Sequence, residues 1–278
     1  MSFKLMYITN QPQIAKLAEG NGVDWIFVDL ELLGKVERQG HLDTVISKHT
    51  IDDVKNIRKV LNHSELLVRC NPIHIDSKKE IDEIIDAGAD IVMLPFYKTV
   101  GEVEEFIDLV DFRAKVCLLL ETSEAVEILD AVLELEGVDY IHIGLNDLSL
   151  SYQLDFMFEP LANGLVERIC HKIRQKGGIS YGIGGISQLG KGDLPSDIIL
   201  GEHIYLGSSM AILSRNFCDV KKLSLKEVEH IFSTEVQKIR DHIRSLDPGD
   251  EVYFLKNREI MKGKVAEIVD RIRRKKGI

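Results

Sequence analysis

Two acidic side chains follow consecutive apolar runs of the sequence. Glu121 comes directly after VCLLL (116–120), and Asp147, preceded by Asn146, comes shortly after YIHIG (140–144). If both runs are neighbouring strands of a parallel sheet, the strands lie about 4.8 Å apart. Carboxylates at matching strand ends then repel each other unless a cation lies between them or one stays protonated. Oxygen ligands with room for water suit Mg²⁺ or Mn²⁺, so Glu121 and Asp147 predict a divalent-metal site.

Each of these residues also has an ordinary structural interpretation. A glutamate at a strand end can be a solvated loop residue. The stretch NDLS (146–149) can start a short helix, with Asn146 or Asp147 as its N-cap.

Charged residues end two earlier apolar runs as well. Asp29 and Glu31 end WIFVDLE (25–31), and Arg69 ends ELLVR (65–69). A guanidinium at this position can bind a substrate carboxylate through two hydrogen bonds. The structural alternative is that Arg69 is a member of an ion pair.

Two glycine-rich stretches in the later part of the sequence predict a phosphate site. GIGG (182–185) and GSS (207–209) would present backbone N–H groups at the ends of strands seven and eight, with Gly184 and Ser208 as candidate substrate-binding residues. The alternative is that these glycines only make tight turns.

The elements that must position these residues alternate between short apolar strands and charged helices. This pattern indicates an α/β protein with a parallel sheet, and about eight such units favour a (β/α)8 TIM barrel over an open α/β sheet. No GxGxxG follows the first strand, which disfavours dinucleotide binding. The expected strands are 4–10, 24–31, 65–72, 90–96, 114–122, the first part of 138–149 (a strand followed by a loop), 179–187 and 203–210.

The alternation stops near residue 216. We therefore divide the chain into a catalytic barrel, 1–216, and a C-terminal helical extension, 217–278, with expected helices at 224–246 and 256–276. The extra C-terminal helices are expected to serve packing or formation of a homo-oligomer.

Composition and net charge limit the classes of protein to which the chain can belong. The chain has 278 residues and a net charge of −10, which disfavours non-specific nucleic-acid binding. Four cysteines without a CxxC pair indicate reduced thiols in a cytoplasmic protein. No apolar run is long enough to span a membrane, and the first residues do not resemble a signal peptide.

Several of these stretches together resemble the HpcH/HpaI aldolase and citrate lyase β-subunit superfamily. They include GVDWIFVDLE (22–31), LLVRCNP (66–72) and the block from LLLETSEAV (118–126) to GLNDLSLS (144–151). The resemblance implies a barrel of the phosphoenolpyruvate/pyruvate type. It implies Mg²⁺ or Mn²⁺ on Glu121 and Asp147, and Arg69 binding or polarising a 2-oxo acid. The reaction it implies is cleavage or formation of a carbon–carbon bond through an enolate.

The sequence departs from this family at one position. The aldolase branch has a histidine directly after the Asp-x-Glu motif, but here Asp29 and Glu31 are followed by Leu32. The polar segment 34–49 can supply a substitute acid/base group or bind a different substrate. Our candidates in it are His41 as a catalytic residue and Lys35 and Arg38 as substrate-binding residues. An ordinary exposed loop is the alternative.

Three functions remain open from the sequence. The first is a metal-dependent aldolase or lyase that acts on a small 2-oxo acid or its aldol adduct. The second is a condensing enzyme or transferase with a sugar- or phosphate-bearing acceptor. The third is a barrel that binds a partner without catalysis.

Overall fold

Eight parallel strands close into a barrel in the computed structural model, which describes residues 3–34 and 48–277. Each strand pairs with the next along the chain, and the last pairs with the first. The strands are Lys4–Ile8 (β1), Trp25–Asp29 (β2), Glu65–Arg69 (β3), Ile91–Leu94 (β4), Lys115–Leu120 (β5), Tyr140–Ile143 (β6), Ser180–Ile186 (β7) and Met210–Leu213 (β8). The predicted TIM barrel is confirmed.

Helices surround the barrel between the strands. Up to β8 they are Pro12–Gly20 (α1), Ile51–Arg58 (α2), Ser77–Asp86 (α3), Val100–Val110 (α4), Ser123–Glu127 (α5), Leu129–Leu133 (α6), Leu145–Ser151 (α7), Glu159–Ala162 (α8), Leu165–Lys176 (α9) and Ser196–Leu206 (α10). Several begin where the sequence places a cap. Thr50 and Thr99 each form a capping box, with Asp53 and Glu102 respectively.

Helices also form the C-terminal extension. They are Leu225–Ile231 (α11), a π-helical turn at Phe232–Val236, Gln237–Ser245 (α12) and Glu251–Lys276 (α13). Helix α13 packs on α10, where Asn257 donates hydrogen bonds to the Ile198 carbonyl and to Glu202. Among the described helices, none is both long and apolar enough to cross a membrane.

A small apolar cluster packs inside the barrel. It consists of Met6, Trp25, Phe27, Leu67, Ile91, Met93, Cys117, Leu119 and Met210. Because successive side chains of a strand alternate between its two faces, the next inward position after Phe27 is Asp29. By the same rule Arg69 follows Leu67, and Glu121 follows Leu119. The polar residues therefore lie directly above the packed interior, at the carboxyl ends of the strands.

The eighth strand was predicted wrongly. The stretch HIYL (203–206) is the last part of α10, and the strand is Met210–Leu213. Residues 198–203 are all buried, since α10 lies between the barrel and α13. A helix buried on both sides loses the polar face that would reveal its period, so its apolar run is mistaken for a strand.

Candidate active site at the carboxyl ends of the strands

Asp29 and Arg69 are partners in the register between β2 and β3. The Arg69 Nε donates to Asp29 Oδ1 and its Nη2 donates to Asp29 Oδ2, both at 2.8 Å. Glu31 Oε2 lies 3.3 Å from the same Nη2. Burial by itself would lower the pKa of Arg69. The carboxylates of Asp29 and Glu31 outweigh this effect and raise the pKa of Arg69 above its ordinary value. The guanidinium therefore stays positively charged.

The guanidinium of Arg69 is supported from below by a side chain inside the barrel. The Arg69 Cζ lies 5.6 Å from the centre of the Phe27 ring. Glu121 also raises the pKa of Arg69, so it lies within electrostatic range across the mouth of the barrel. The structure thus brings together Asp29, Glu31, Arg69 and Glu121.

Glu121 follows β5 and is 4% exposed. Its Oε1 accepts a hydrogen bond from the Phe96 N–H at 3.1 Å. Phe96 has a φ of 51°, a conformation that non-glycine residues rarely adopt. A strained residue of this kind persists where the surrounding structure holds it, as it often does in active sites.

Close packing also fixes the other side of the Glu121 carboxylate. A Cβ added to Gly144 would lie 2.9 Å from Glu121 Oε2 and 3.0 Å from its Cβ. Only glycine fits at this position without moving the carboxylate. Thr122 then accepts from the Ala125 N–H and caps α5, so the chain turns into a helix directly after the buried glutamate.

Asp147 lies in the first turn of α7 and is 6% exposed. The N-cap of α7 is Gly144. The structural alternative required Asn146 or Asp147 to cap this helix, and neither residue does so. The Asn146 Nδ2 lies 3.4 Å from Asp147 Oδ1, which allows the amide to orient the carboxylate. A negative charge in the first turn is also favoured by the helix dipole.

The carboxylates of Glu121 and Asp147 fit a hard divalent cation. Their donors are oxygens only, both residues are almost fully buried, and Gly144 leaves Glu121 the space that a Cβ would fill. Within residues 3–34 and 48–277, no group of three or more His, Cys, Asp or Glu side chains is placed to hold a metal. Two carboxylates suit Mg²⁺, which usually retains several waters and takes ligands from the substrate.

The predicted phosphate site is not assembled as expected. Ser208 precedes β8 and lies at the amino-terminal end of the barrel, where the next residue, Ser209, donates its N–H to the Tyr181 carbonyl. Gly184 lies inside β7 with a φ of 45°, and a Cβ there would lie 2.8 Å from Leu145 Cδ1. The two residues therefore do not form one substrate-binding site. The prediction for Ser208 was wrong because the start of β8 was placed too early.

The segment after β2 is only partly described. Lys35, Arg38 and His41 lie outside the described residues. Leu32, at the position where a histidine was expected, is 51% exposed. Asn71 anchors this segment, because its Oδ1 accepts hydrogen bonds from the Leu32 and Leu33 N–H groups at 2.8 and 2.9 Å.

Two histidines near the site were not among the chosen candidates, although His49 belongs to the predicted polar segment 34–49. His49 Nδ1 accepts a hydrogen bond from the Asp29 N–H at 3.1 Å. His142 lies inside the barrel, its Nε2 is 3.1 Å from the Gly184 carbonyl oxygen, and burial lowers its pKa to about 4. The sequence offers no local signal for either contact, since both join residues that lie 20 or more positions apart.

Comparisons with known proteins agree with this architecture. The profile of the HpcH/HpaI aldolase/citrate lyase family matches residues 4–158. A 2-keto-3-deoxy-L-rhamnonate aldolase of Salmonella newport is 24% identical over 195 residues, which cover 59% of this chain and 67% of the aldolase.

Solved structures with this fold share little sequence with the chain. An HpcH/HpaI aldolase from Desulfitobacterium hafniense has a TM-score of 0.60 at 15% identity, covering 88% of this chain and 94% of its own. The citrate synthase SbnG has a TM-score of 0.61 at 16% identity, covering 85% and 94%. At such identities the likeness shows the fold alone.

Proposed function

Because this chain belongs to the HpcH/HpaI aldolase/citrate lyase family, we propose that it is a divalent-metal-dependent aldolase or lyase. It would form or cleave a carbon–carbon bond through the enolate of pyruvate or a similar 2-oxo acid. The supporting observation is that Glu121 and Asp147, both almost fully buried, lie at the end of the barrel that also holds Arg69.

The chemistry of the buried carboxylates supports a metal site. Asp29 and Glu31 bind the guanidinium of Arg69. Glu121 and Asp147, at most 6% exposed, are oxygen donors of the kind that a hard divalent cation takes.

The cation would be held by Glu121 and Asp147. When bound, Mg²⁺ or Mn²⁺ would supply positive charge beside the oxygen on which the enolate develops. The protein residues do the rest. Arg69 binds the oxo acid, and Asp29 and Glu31 hold the guanidinium in one orientation through its Nε and Nη2. Prearranged groups of this kind stabilise the developing charge without reorganising during the reaction.

A condensing enzyme is the second candidate. Leu32 provides no proton-transfer group at the position where the aldolase branch has a histidine. The fold likeness to a citrate synthase is compatible with condensation, although it shows only the fold. Both candidates use the same enolate and differ in the electrophile that it attacks.

The test is exchange of the pyruvate methyl protons in D₂O, followed by proton NMR. We expect exchange with Mg²⁺ or Mn²⁺ and none after chelation with EDTA. No exchange with either metal would contradict the proposed function. Failure to bind either metal in calorimetry, with the fold intact, would favour the non-catalytic barrel instead.

A further inference from the structure

The side chain of Asn71 extends the pairing of β2 and β3 beyond their last strand residues. Strand β2 ends at Asp29, and the following Leu30 N–H still donates to the Arg69 carbonyl at 2.9 Å. In a parallel pair, alternate N–H groups of one strand point to the same neighbour, so the next N–H towards β3 is that of Leu32. Its acceptor, at 2.8 Å, is Asn71 Oδ1. The side-chain carbonyl of Asn71 thus takes the place of a main-chain carbonyl of β3.

This extension keeps Glu31 on the inward face of the sheet. Side chains of an extended segment alternate between its two faces, so Glu31 faces the same way as Asp29. The main chain of Glu31 lies between Leu30 and Leu32, whose N–H groups are both bound on the β3 side. Glu31 is 1% exposed, and its Oε2 lies 3.3 Å from Arg69 Nη2. The two main-chain hydrogen bonds therefore determine where this carboxylate meets the guanidinium.

Asn71 is itself held from helix α3. Its Nδ2 donates to Glu80 Oε1 at 2.7 Å, and its main-chain N–H donates to the same oxygen at 3.1 Å. An ionised carboxylate can only accept, so the Nδ2 end of the amide faces Glu80 and the Oδ1 end faces the chain after β2. Oδ1 accepts a second hydrogen bond there, from the Leu33 N–H at 2.9 Å. This position uses one donor end and one acceptor end, which aspartate and leucine, although similar in shape, do not offer together.

We propose that Asn71 is a positioning residue for the binding of the 2-oxo acid, an inference that rests on the proposed function. Asn71 acts through Glu31 and not through contact with the substrate. It fixes the chain after β2, so that Glu31 meets Arg69 Nη2 from a constant direction. Without Asn71 Oδ1 the pairing with β3 would end at Leu30. The guanidinium would then lose part of its fixed orientation, and ordering it again would weaken the binding of the oxo acid.

The test is Asn71→Ala, made both in the wild type and in a Glu31→Gln background. The readouts are KM and kcat for the metal-dependent exchange of pyruvate methyl protons in D₂O. Hydrogen exchange of the Leu32 and Leu33 amides reports directly on the chain after β2. The matched control is Asn56→Ala, whose side chain lies on the exposed surface of α2.

A second variant reaches Asn71 from the other side. Glu80→Ala leaves Asn71 in place and removes the carboxylate that orients its amide. The Glu80 side chain is 17% exposed and lies on α3, outside the barrel. Glu80→Ala therefore decides the question if Asn71→Ala does not fold.

The expected effect is on substrate binding. In Asn71→Ala, KM for pyruvate should rise about 5- to 10-fold with kcat within about threefold of the wild type, because Asp29 still holds the guanidinium. The Leu32 and Leu33 amides should exchange about tenfold faster. In the Glu31→Gln background the same substitution should change KM by less than about twofold, since the residue through which it acts is already altered. Glu80→Ala should raise KM at least about threefold, and Asn56→Ala should match the wild type.

Several results would overturn the inference alone. A wild-type KM in Asn71→Ala, even with a lowered Tm, would reduce Asn71 to a structural residue, and unchanged exchange of the Leu32 and Leu33 amides would exclude its hold on the chain. An equal rise of KM in both backgrounds would show that Asn71 does not act through Glu31. Where only Glu80→Ala folds, its wild-type KM would overturn the inference. A wild type that exchanges no pyruvate protons with Mg²⁺ or Mn²⁺ would contradict the proposed function, and the inference with it.

Discussion

Arg69 and Asp29 form an ion pair with two hydrogen bonds, both 2.8 Å long, between partner positions of neighbouring strands. The guanidinium is therefore oriented before any substrate binds. An incoming carboxylate does not have to order a flexible side chain, which reduces the entropic cost of binding.

Replacing Arg69 by lysine should impair the binding of the oxo acid. Lysine keeps the charge but cannot offer two parallel N–H groups to Asp29 or to a substrate. We expect kcat/KM for pyruvate to fall about 100-fold, which corresponds to about 2.7 kcal/mol. The control is Arg113→Lys, whose ion pair with Asp82 lies on the surface. An Arg69→Lys enzyme with unchanged kinetics would exclude a specific role for the guanidinium.

Removing either carboxylate of the proposed metal site should weaken metal binding. Glu121→Gln and Asp147→Asn should each weaken Mn²⁺ binding at least tenfold in calorimetry and stop pyruvate exchange, because one of two charged ligands is lost. Glu124→Gln is the matched control, since this residue is only three positions away but pairs with Lys98 at the surface. Equal Mn²⁺ affinity in Glu121→Gln and Glu124→Gln would refute the metal assignment.

Gly144→Ala should disturb the same site without removing a ligand. The added Cβ would lie 2.9 Å from Glu121 Oε2, so the carboxylate must shift. We expect Mn²⁺ affinity to fall about 10- to 100-fold, as for other changes next to metal ligands. Gly101→Ala in helix α4 meets no atom within 4 Å and should leave the affinity unchanged. If both variants bind the metal like the wild type, the packing around Glu121 does not determine its position as a ligand.

Ser208→Ala should affect stability and not catalysis. The Ser208 hydroxyl lies 2.8 Å from Nδ1 of the buried His203, at the opposite end of the barrel from the site. Loss of this partner should lower the free energy of unfolding by about 1–3 kcal/mol, with kcat/KM within twofold of the wild type. Denaturant unfolding and steady-state kinetics measure the two effects. A selective rise in KM for a phosphorylated substrate would restore the phosphate-site hypothesis for Ser208.

The contact between α10 and α13 should make stability depend on pH. Burial raises the pKa of Glu202 from 4.5 to about 7, against the opposing effect of Arg258. The folded state then binds a proton that the unfolded state releases, so the stabilisation is complete below about pH 4.5 and is lost as the pH rises through 7. Relative to the wild type, Glu202→Gln should therefore gain thermal stability between about pH 5 and 8.

A gain of about 1 kcal/mol corresponds to a rise in Tm of roughly 2–4 °C for a chain of this size. Glu259→Gln, on the exposed side of α13, should show no pH-dependent difference from the wild type. Parallel Tm curves for the wild type and Glu202→Gln across this pH range would contradict the raised pKa.

The sequence predicted the barrel and part of the site for one physical reason. Strands buried on both faces are apolar along their length, so a charged residue such as Glu121 or Arg69 at the end of one stands out. The alternation of strand side chains then points these residues inward, above Phe27 and Leu119.

Other features depend on contacts that no local pattern encodes. The φ of Phe96 depends on its N–H meeting Glu121, 25 residues later. The contact of His49 depends on the Asp29 N–H at the end of β2, 20 residues earlier. The sequence predicted β8 at the wrong position because α13 buries the outer side of α10, which therefore has no polar face.

The packing of α13 on α10 has a consequence for how the protein can be produced. A fragment that ends at residue 216 would leave the apolar outer side of α10 exposed, together with Glu202 and without Arg258. Uncovered apolar surface of this kind promotes aggregation. We therefore expect that the barrel cannot be expressed in soluble form without its C-terminal helices, although the sequence pattern suggests a boundary there.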